Sequence, residues 1–461
     1  MSYSETSLWL QACGDDLSPR PALPGDRDVD VAIVGAGFTG LWTAYYLTER
    51  DPSLRVAVLE SEVAGFGASG RNGGWASGLF PKSRAKLATL PGSSRERAIA
   101  MTTAMRDSVD EVGRVVDAEG IGCDFIKGGT VVLVRTQAQL IRARAEVQAA
   151  YSWGDTEADI RLLDAHEAAK HVQATSMLAA TYTPHCARIQ PAKLARGLAR
   201  VLEGRGVTIY EKTRVREIAP SMAMTDHGRV RAEYVVRATE GFTPRLAGLK
   251  RTVIPVYSLV VATAPLPERT WDQIGLAGRA TFSDFRHLLI YGQRSADDRL
   301  VFGGRGAPYH FSSRIEPRFD RDPTVFQSLR ETLVKLFPAV EGTEFTHQWG
   351  GPLGIARDWT ASVGLDRETG IGWAGGYVGD GVTTTNLAGR TLADLVTGTG
   401  SDLVSLPWVN HRSRRWESEP LRWLGVNAGL RAMTAADQEE RLTSRPSLIA
   451  KAVTPFIGGG H

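Results

Sequence analysis

Short apolar runs rich in β-branched residues alternate with stretches of helical period through the first half of the chain. Asp28 to Val34 gathers Val29, Val31, Ile33 and Val34 and predicts a buried strand. Leu41 to Glu49 predicts a helix and Arg55 to Glu60 a second strand, so the three form one β-α-β unit with parallel strands. Residues 1 to 27 read as irregular, with Pro19, Pro21 and Pro24 near their end. Ala64 to Gly78 then breaks the rhythm with glycine and serine and almost no aliphatic content, which is long for a plain connector and points to a functional loop. A helical period returns over Arg95 to Ala118, followed by a strand at Thr130 to Arg135 and a charged helix at Gln137 to Ala150.

The α/β rhythm resumes with a helix at Ala192 to Glu203 and strands at Val207 to Tyr210 and Ala232 to Ala238. Between about 251 and 310 it gives way to extended runs, Val253 to Thr263, His287 to Tyr291 and Leu300 to Phe302, with a turn at Asp297-Asp298, and these predict an antiparallel sheet. Gln327 to Phe337 is expected as a helix, Gly370 to Gly376 as a short strand, and Thr384 to Val396 as an amphipathic helix with Leu387, Leu392 and Leu395 inward. The expected organisation is a discontinuous nucleotide domain (28–95, 175–250 and 345–400), a second domain (96–174 and 251–344) and a helical tail (401–461). No internal repeat or extended low-complexity tract is evident.

Composition narrows the class. At 461 residues with 43% hydrophobic and 23% charged positions the chain is an ordinary globular protein of more than one domain, neither disordered nor fibrous. The balance of 54 basic against 51 acidic residues leaves +3, which argues against a dedicated nucleic-acid surface. The arginines 412, 414, 415 and 422 interleaved with Trp408, Trp416 and Trp423 therefore read as interhelical packing with surface charge. Cys13, Cys123 and Cys186 form no metal or redox pattern, no stretch is long enough to span a membrane and no secretory signal is evident, so a cytoplasmic protein without a metal site is expected.

The chemistry begins at the first β-α-β unit. Gly35, Gly37 and Gly40 form GxGxxG directly after a strand and before a helix, with Glu60 ending the next strand 20 residues beyond Gly40. The first glycine makes the tight turn, the second admits a diphosphate to the backbone amides, and the third permits close helix packing. The helix start supplies free N–H groups and positive potential, and Glu60 would accept from an adenosine ribose, which disfavours a 2′-phosphate there. A bare glycine motif is weak, but strand, helix, strand and acid at this spacing predict adenine-dinucleotide binding. The loop Gly65 to Gly74 could wrap a second, larger part of such a cofactor, and Arg71 and Asn72 are odd choices for a mere linker.

The fingerprint, the Gly-Ala-Ser-Gly-Arg-Asn-Gly-Gly loop at 67–74, Ala238 to Pro244, and Gly375 to Val382, in this order over about residues 28 to 425, resemble the FAD-dependent D-amino-acid oxidase superfamily. Within it the likeness is to the gamma-glutamylputrescine oxidoreductase-like branch, related to sarcosine and glycine oxidases. The resemblance implies an α/β (overall α+β) protein: a glutathione-reductase-like, FAD-binding Rossmann domain joined to an antiparallel-sheet substrate domain. It implies that Gly35, Gly37, Phe38, Thr39, Gly40, Glu60 and Ser61 hold the ADP half. Gly67, Ala68, Ser69, Arg71, Asn72, Gly73 and Gly74 would lie near the diphosphate and flavin, and Val215 would meet adenine through its backbone. Thr239, Gly241 and Gly350 would complete the pocket, with Gly379, Asp380, Gly381, Val382, Thr383 and Thr384 at the flavin's pyrimidine edge. There the following helix N-terminus would stabilise the anionic reduced flavin.

Two departures stand out. Relatives that tether flavin do so through cysteine or histidine, and neither occurs in Ser69 to Gly74 or Gln348 to Asp358, so FAD is expected to be non-covalent. Many relatives carry histidine in the Gly-x-x-Gly-His-Gly turn, where this chain has Asp380. The implied activity is oxidation of a small amine or amino acid to an imine, with hydride passing to flavin N5 and O2 as acceptor giving H2O2. Candidate substrate contacts are Tyr257, Tyr291, Arg305 and Trp349, each of which could equally be packing. Arg305, within Gly303-Gly304-Arg305-Gly306, could hold a carboxylate or phosphonate bidentately, as in a gamma-glutamylputrescine-like or aminophosphonate-like substrate. The alternatives are an FAD monooxygenase using NAD(P)H, or a flavin-binding protein without turnover. A monomer or homodimer is compatible with the sequence.

Overall fold

In the computed structural model, which describes residues 2–457, two large sheets divide the work. The first has a parallel core running β18 (Ile371–Gly375), β11 (Gly228–Arg237), β1 (Arg27–Val34), β2 (Val56–Leu59) and β8 (Thr208–Tyr210). Antiparallel β17 (Ser362–Asp366) flanks it, and the hairpin β9 (Val215–Ala219) and β10 (Met222–Thr225) pairs onto β11. Val31 to Val34 and Val56 to Leu59 are buried on both faces, as parallel strands between helical layers require. One of those layers joins the helices Phe38–Arg50 and Gly381–Thr397. Gly389 permits their close approach, since a Cβ there would lie 2.7 Å from the Trp42 backbone.

The second sheet runs β16 (Phe345–Ile355), β12 (Ile254–Thr263), β15 (Leu300–Gly304), β14 (Ile290–Arg294), β13 (Thr281–Asp284), β4 (Thr130–Val134), β6 (Ala179–Thr183) and β5 (Arg161–Asp164). Its far face carries a separate core of Leu259, Val261, Phe282, Phe302, Leu329 and Leu333 under the helix Pro323–Leu336. A two-stranded ribbon, β3 (Trp75–Ser77) with β7 (Cys186–Arg188), completes the strands.

Several expectations change. The second sheet is mixed, because β13 and β4 pair in parallel. β6 and β16 belong to it, so the chain returns to the first sheet later than 175 and 345, the bounds expected from sequence. The extended run expected at His287 to Tyr291 starts at Ile290, and the helix expected at Thr384 starts at Gly381. Residues 1–27 are not wholly irregular, for Leu8–Gln11 is a helical turn whose Leu8, Trp9 and Leu10 are buried. The tail holds helices Leu421–Thr443 and Leu448–Ile457, while residues 458–461 lie outside the described ones.

Candidate active site

The first parallel strand ends in a turn only small residues can make. Gly35 has φ +110°, and a Cβ on Gly40 would lie 2.0 Å from the Gly35 carbonyl oxygen. The helix opening is completed by Ser69, whose Oγ accepts from Phe38 N at 2.8 Å, leaving its own proton free for an anion at that N-terminus. Glu60 accepts from Ala36 N at 2.8 Å and Glu62 N at 2.9 Å, with Ser61 Oγ at 3.4 Å. Burial pushes its carboxyl upward while these N–H groups oppose it, and a lone-pair direction on Oε2 remains for a ribose. Val215 opens β9 and packs with Leu59 and Val34 beside this end of the sheet.

The glycine-rich loop is ordered by its own side chains. Asn72 donates to Ala68 O and Ser69 O and accepts from Gly74 N. Gly67 lies beside the Phe242 ring. Gln293 of β14 donates to Gly73 O at 2.6 Å and Gly74 O at 3.1 Å, and Trp9 donates to Asn72 O at 2.7 Å. Arg71 reaches across the loop and out of it. Its Nε donates to Phe66 O, and its Nη1 donates to Asp320 Oδ2 and Gly350 O, which joins the loop to the second sheet. Arg71 is thus a tie between elements, with Nη2 alone making no hydrogen bond among the described residues.

The C-terminal turn closes the opposite side. Thr39 and Tyr377 hydroxyls meet at 2.9 Å, linking the first helix to Gly375–Tyr377. Glu240 accepts from Gly354 N at 2.5 Å and Tyr377 N at 3.1 Å; burial raises it to about 7 against those N–H groups. It thereby clamps β16 to the turn, at the start of the short helix Glu240–Arg245, where the Thr239 and Thr243 hydroxyls meet at 2.8 Å and Gly241 fits under Pro352. Gly381, Val382, Thr383 and Thr384 form the first turn of the following helix. Thr384 bonds back to Asp380 O, and the buried Thr383 hydroxyl has no partner among the described residues.

The second sheet supplies the facing wall. Tyr291 of β14 bonds Ser258 Oγ at 2.8 Å, sits edge-on to Trp75 at 6.1 Å, and covers Gly73, where a Cβ would strike its ring at 2.5 Å. Arg305, just beyond β15, donates from Nη2 to Val378 O and lies over Trp359 at 5.5 Å. Gly73, Tyr291, Arg305, Gly379 and Asp380 therefore converge on one recess between the sheets.

Two expected substrate contacts do not share it. Tyr257 alternates with Ser258 on β12 and so faces the far core, against Phe319 and His310. Trp349 is buried, donates to Arg71 O at 2.8 Å and packs edge-on against Trp9 at 6.2 Å, so it buttresses the loop from behind. Sequence reasoning missed Trp9, Trp75, Glu240 and Gln293. Two signals were visible: the apolar triad Leu8-Trp9-Leu10 in a stretch read as irregular, and Glu240 within the motif Ala238 to Pro244, which was noted without a role for the acid.

The donor set fits FAD: a glycine cradle at a helix start, an acid on the second strand, and a second helix start with an orphaned buried hydroxyl at Thr383. Among the described residues no group of three or more histidine, cysteine, aspartate or glutamate side chains could hold a metal ion, and no helix is long and apolar enough to cross a membrane.

Comparison with known proteins agrees with this geometry. The DAO family model, FAD dependent oxidoreductase, matches residues 30–395. Gamma-glutamylputrescine oxidoreductase of Escherichia coli (strain K12) is 29% identical over 402 residues, spanning 85% of this chain and 89% of that protein. Glycine oxidase from Geobacillus kaustophilus superposes with a TM-score of 0.69 at 23% identity, over 84% of this chain and 99% of the other. L-proline dehydrogenase from P. horikoshii gives 0.68 at 18% identity, over 84% and 98%. The two structural likenesses concern the fold.

Proposed function

The chain belongs to the DAO family of FAD-dependent oxidoreductases, and from that premise we propose that it oxidises the C–N bond of a small amine or amino acid bearing an anionic group. FAD, when bound, supplies a two-electron acceptor for the substrate's C–H hydride. Gly35 to Gly40, Ser69 and Glu60 would hold the ADP half of FAD, and Gly73–Gly74 and Gly379–Thr384 would flank a non-covalently bound flavin.

The observation that carries the reading is the convergence of Tyr291 and Arg305 with those two glycine turns on one recess. Arg305 holds the substrate's anion through the N–H groups not spent on Val378 O. Tyr291, held by Ser258, forms an apolar wall that excludes water and favours the neutral amine, whose lone pair is needed to form the C=N bond as the hydride leaves. The imine hydrolyses in solvent, and O2 takes the two electrons with two protons to give H2O2. The enzyme acts as a monomer or homodimer in the reducing cytoplasm, in keeping with its three free cysteines.

Anaerobic mixing of the yellow protein with a panel of amines, followed by oxygen and peroxide detection, tests both halves. Bleaching by an amine with one peroxide per turnover is expected. Bleaching by NADPH alone would place the chain among monooxygenases instead.

A further inference from the structure

Asp380 occupies the N-cap of the helix Gly381–Thr397 but does not cap it: its carboxylate makes no hydrogen bond or ion pair among the described residues. An N-cap aspartate ordinarily accepts from the second or third helical N–H, and this one forgoes that stabilising bond. The carboxylate is nevertheless recessed, not fully exposed, at the mouth of the cleft already described. The neighbouring guanidinium of Arg305 docks on Val378 O, and a Cβ at Gly379 would come within 3.4 Å of its Nη2. Asp380 follows Gly379 directly in the chain, so its carboxylate and the Arg305 guanidinium flank the same turn. They attract, yet do not close into an ion pair. Two unlike charges held apart over one recess match a ligand carrying the same two charges in reverse.

We propose that Asp380 binds the substrate's amino group while Arg305 binds its anion, so that the site selects short zwitterions in which one or two carbons separate amine from carboxylate or phosphonate. The inference rests on the reading of the cleft as an amine-oxidising site. It disfavours long amides whose oxidisable amine lies far from the acid, because the two poles of the site are too close together to meet both ends. The other titratable groups facing the pair are Tyr291, toward Arg305, and Cys186, toward Asp380, and burial holds both in their neutral forms. Burial raises the Asp380 carboxyl to about 6, with Arg305 opposing, so it is ionised at neutral pH and basic enough to take a proton. The proton balance is simple. The ammonium gives one proton to Asp380, the amine's C–H bond then breaks with its electron pair passing to FAD, the nitrogen lone pair forms the C=N bond, and Asp380 releases its proton to solvent.

The test uses the FAD-loaded protein and three compounds of one shape: 2-methylalanine, pivalate and tert-butylamine. 2-Methylalanine has no hydrogen on its amine-bearing carbon and so binds without reacting. Calorimetric titration is expected to show 2-methylalanine binding at least about tenfold tighter than either single-charge analogue. Asp380→Asn abolishes its advantage over pivalate and leaves pivalate binding intact, Asp380→Glu restores the advantage, and Arg305→Gln weakens both carboxylates. An unchanged flavin spectrum shows that each variant has folded. Wild type without that preference, or Asp380→Asn retaining it, overturns the proposal. Should the preference hold while no amine bleaches the flavin, the binding assignment stands and the oxidase reading fails.

Discussion

Arg71 Nη1 and Asp320 Oδ2 lie 2.8 Å apart, an ion pair between the glycine-rich loop and the short helix Pro317–Asp320 in which the arginine is almost wholly buried. Burial disfavours both charges, raising Asp320 and lowering Arg71, and each charge offsets part of the other's penalty. Removing one partner of such a pair costs about 3 to 5 kcal/mol, because the other charge stays behind. Asp320→Asn is therefore expected to lower the thermal midpoint of the holoprotein and speed flavin release together. Following flavin fluorescence during heating checks this. Unchanged release would show that the tie does not hold the loop.

Trp349 tells structure from chemistry. It donates to Arg71 O behind the loop, so Trp349→Phe removes one bond and leaves a buried carbonyl short of a partner, a loss of about 1 to 3 kcal/mol. Urea unfolding should register that loss, while the rate constant of flavin reduction at saturating amine changes less than about twofold. A large fall in that rate at normal stability would return Trp349 to the reaction centre.

Gly40→Ala tests the cradle. Its Cβ would sit 2.0 Å from Gly35 O, far inside contact distance, and relief requires moving the helix that receives the diphosphate. Protein bearing this substitution is expected to purify without colour and to take up added FAD at least about a hundredfold more weakly, by equilibrium dialysis.

Stability should depend on pH through Glu240. Its carboxyl titrates near 7 in the fold against an ordinary 4.5, so between those values the native state binds more protons than the unfolded chain. Stability from this group is then fullest below about 4.5 and falls as pH rises toward 7. Asp380 acts in the same sense between 3.8 and about 6. Glu240→Gln is expected to flatten its part of this slope. It should also weaken the molecule at every pH, since a side-chain amide must then face backbone N–H groups of Gly354 or Tyr377. Denaturant titrations across pH 4 to 8 separate the two effects.

What the sequence made legible was local. The GxGxxG turn, Glu60 and the helix Arg95–Ala118 depend on neighbours within a few turns of chain, and the strand and helix signals found them. Partner choice between distant strands has no such signature. β16 and β6 join the second sheet through pairing with β12 and β4, which no periodicity encodes. The same limit governs the site: Tyr257 and Tyr291 look alike in sequence, and only strand register puts one in the core and the other over Gly73. Gly381, Val382 and Thr383 hid the start of the helix Gly381–Thr397, because glycine and β-branched residues weaken a helical signal. Asp380, by contrast, was visible in sequence as a departure, and the structure adds that its carboxylate makes no hydrogen bond or ion pair among the described residues.

The account stands or falls on transfer of a substrate hydride from the amine-bearing carbon to bound FAD, and anaerobic stopped-flow reduction with an amine substrate deuterated at that carbon measures it directly. A several-fold slower bleaching than with the protonated compound, with the same final spectrum, is the predicted result. Equal rates for the two isotopologues under conditions where chemistry limits bleaching, or a flavin that stays yellow with every amine yet bleaches with NADPH, would contradict it.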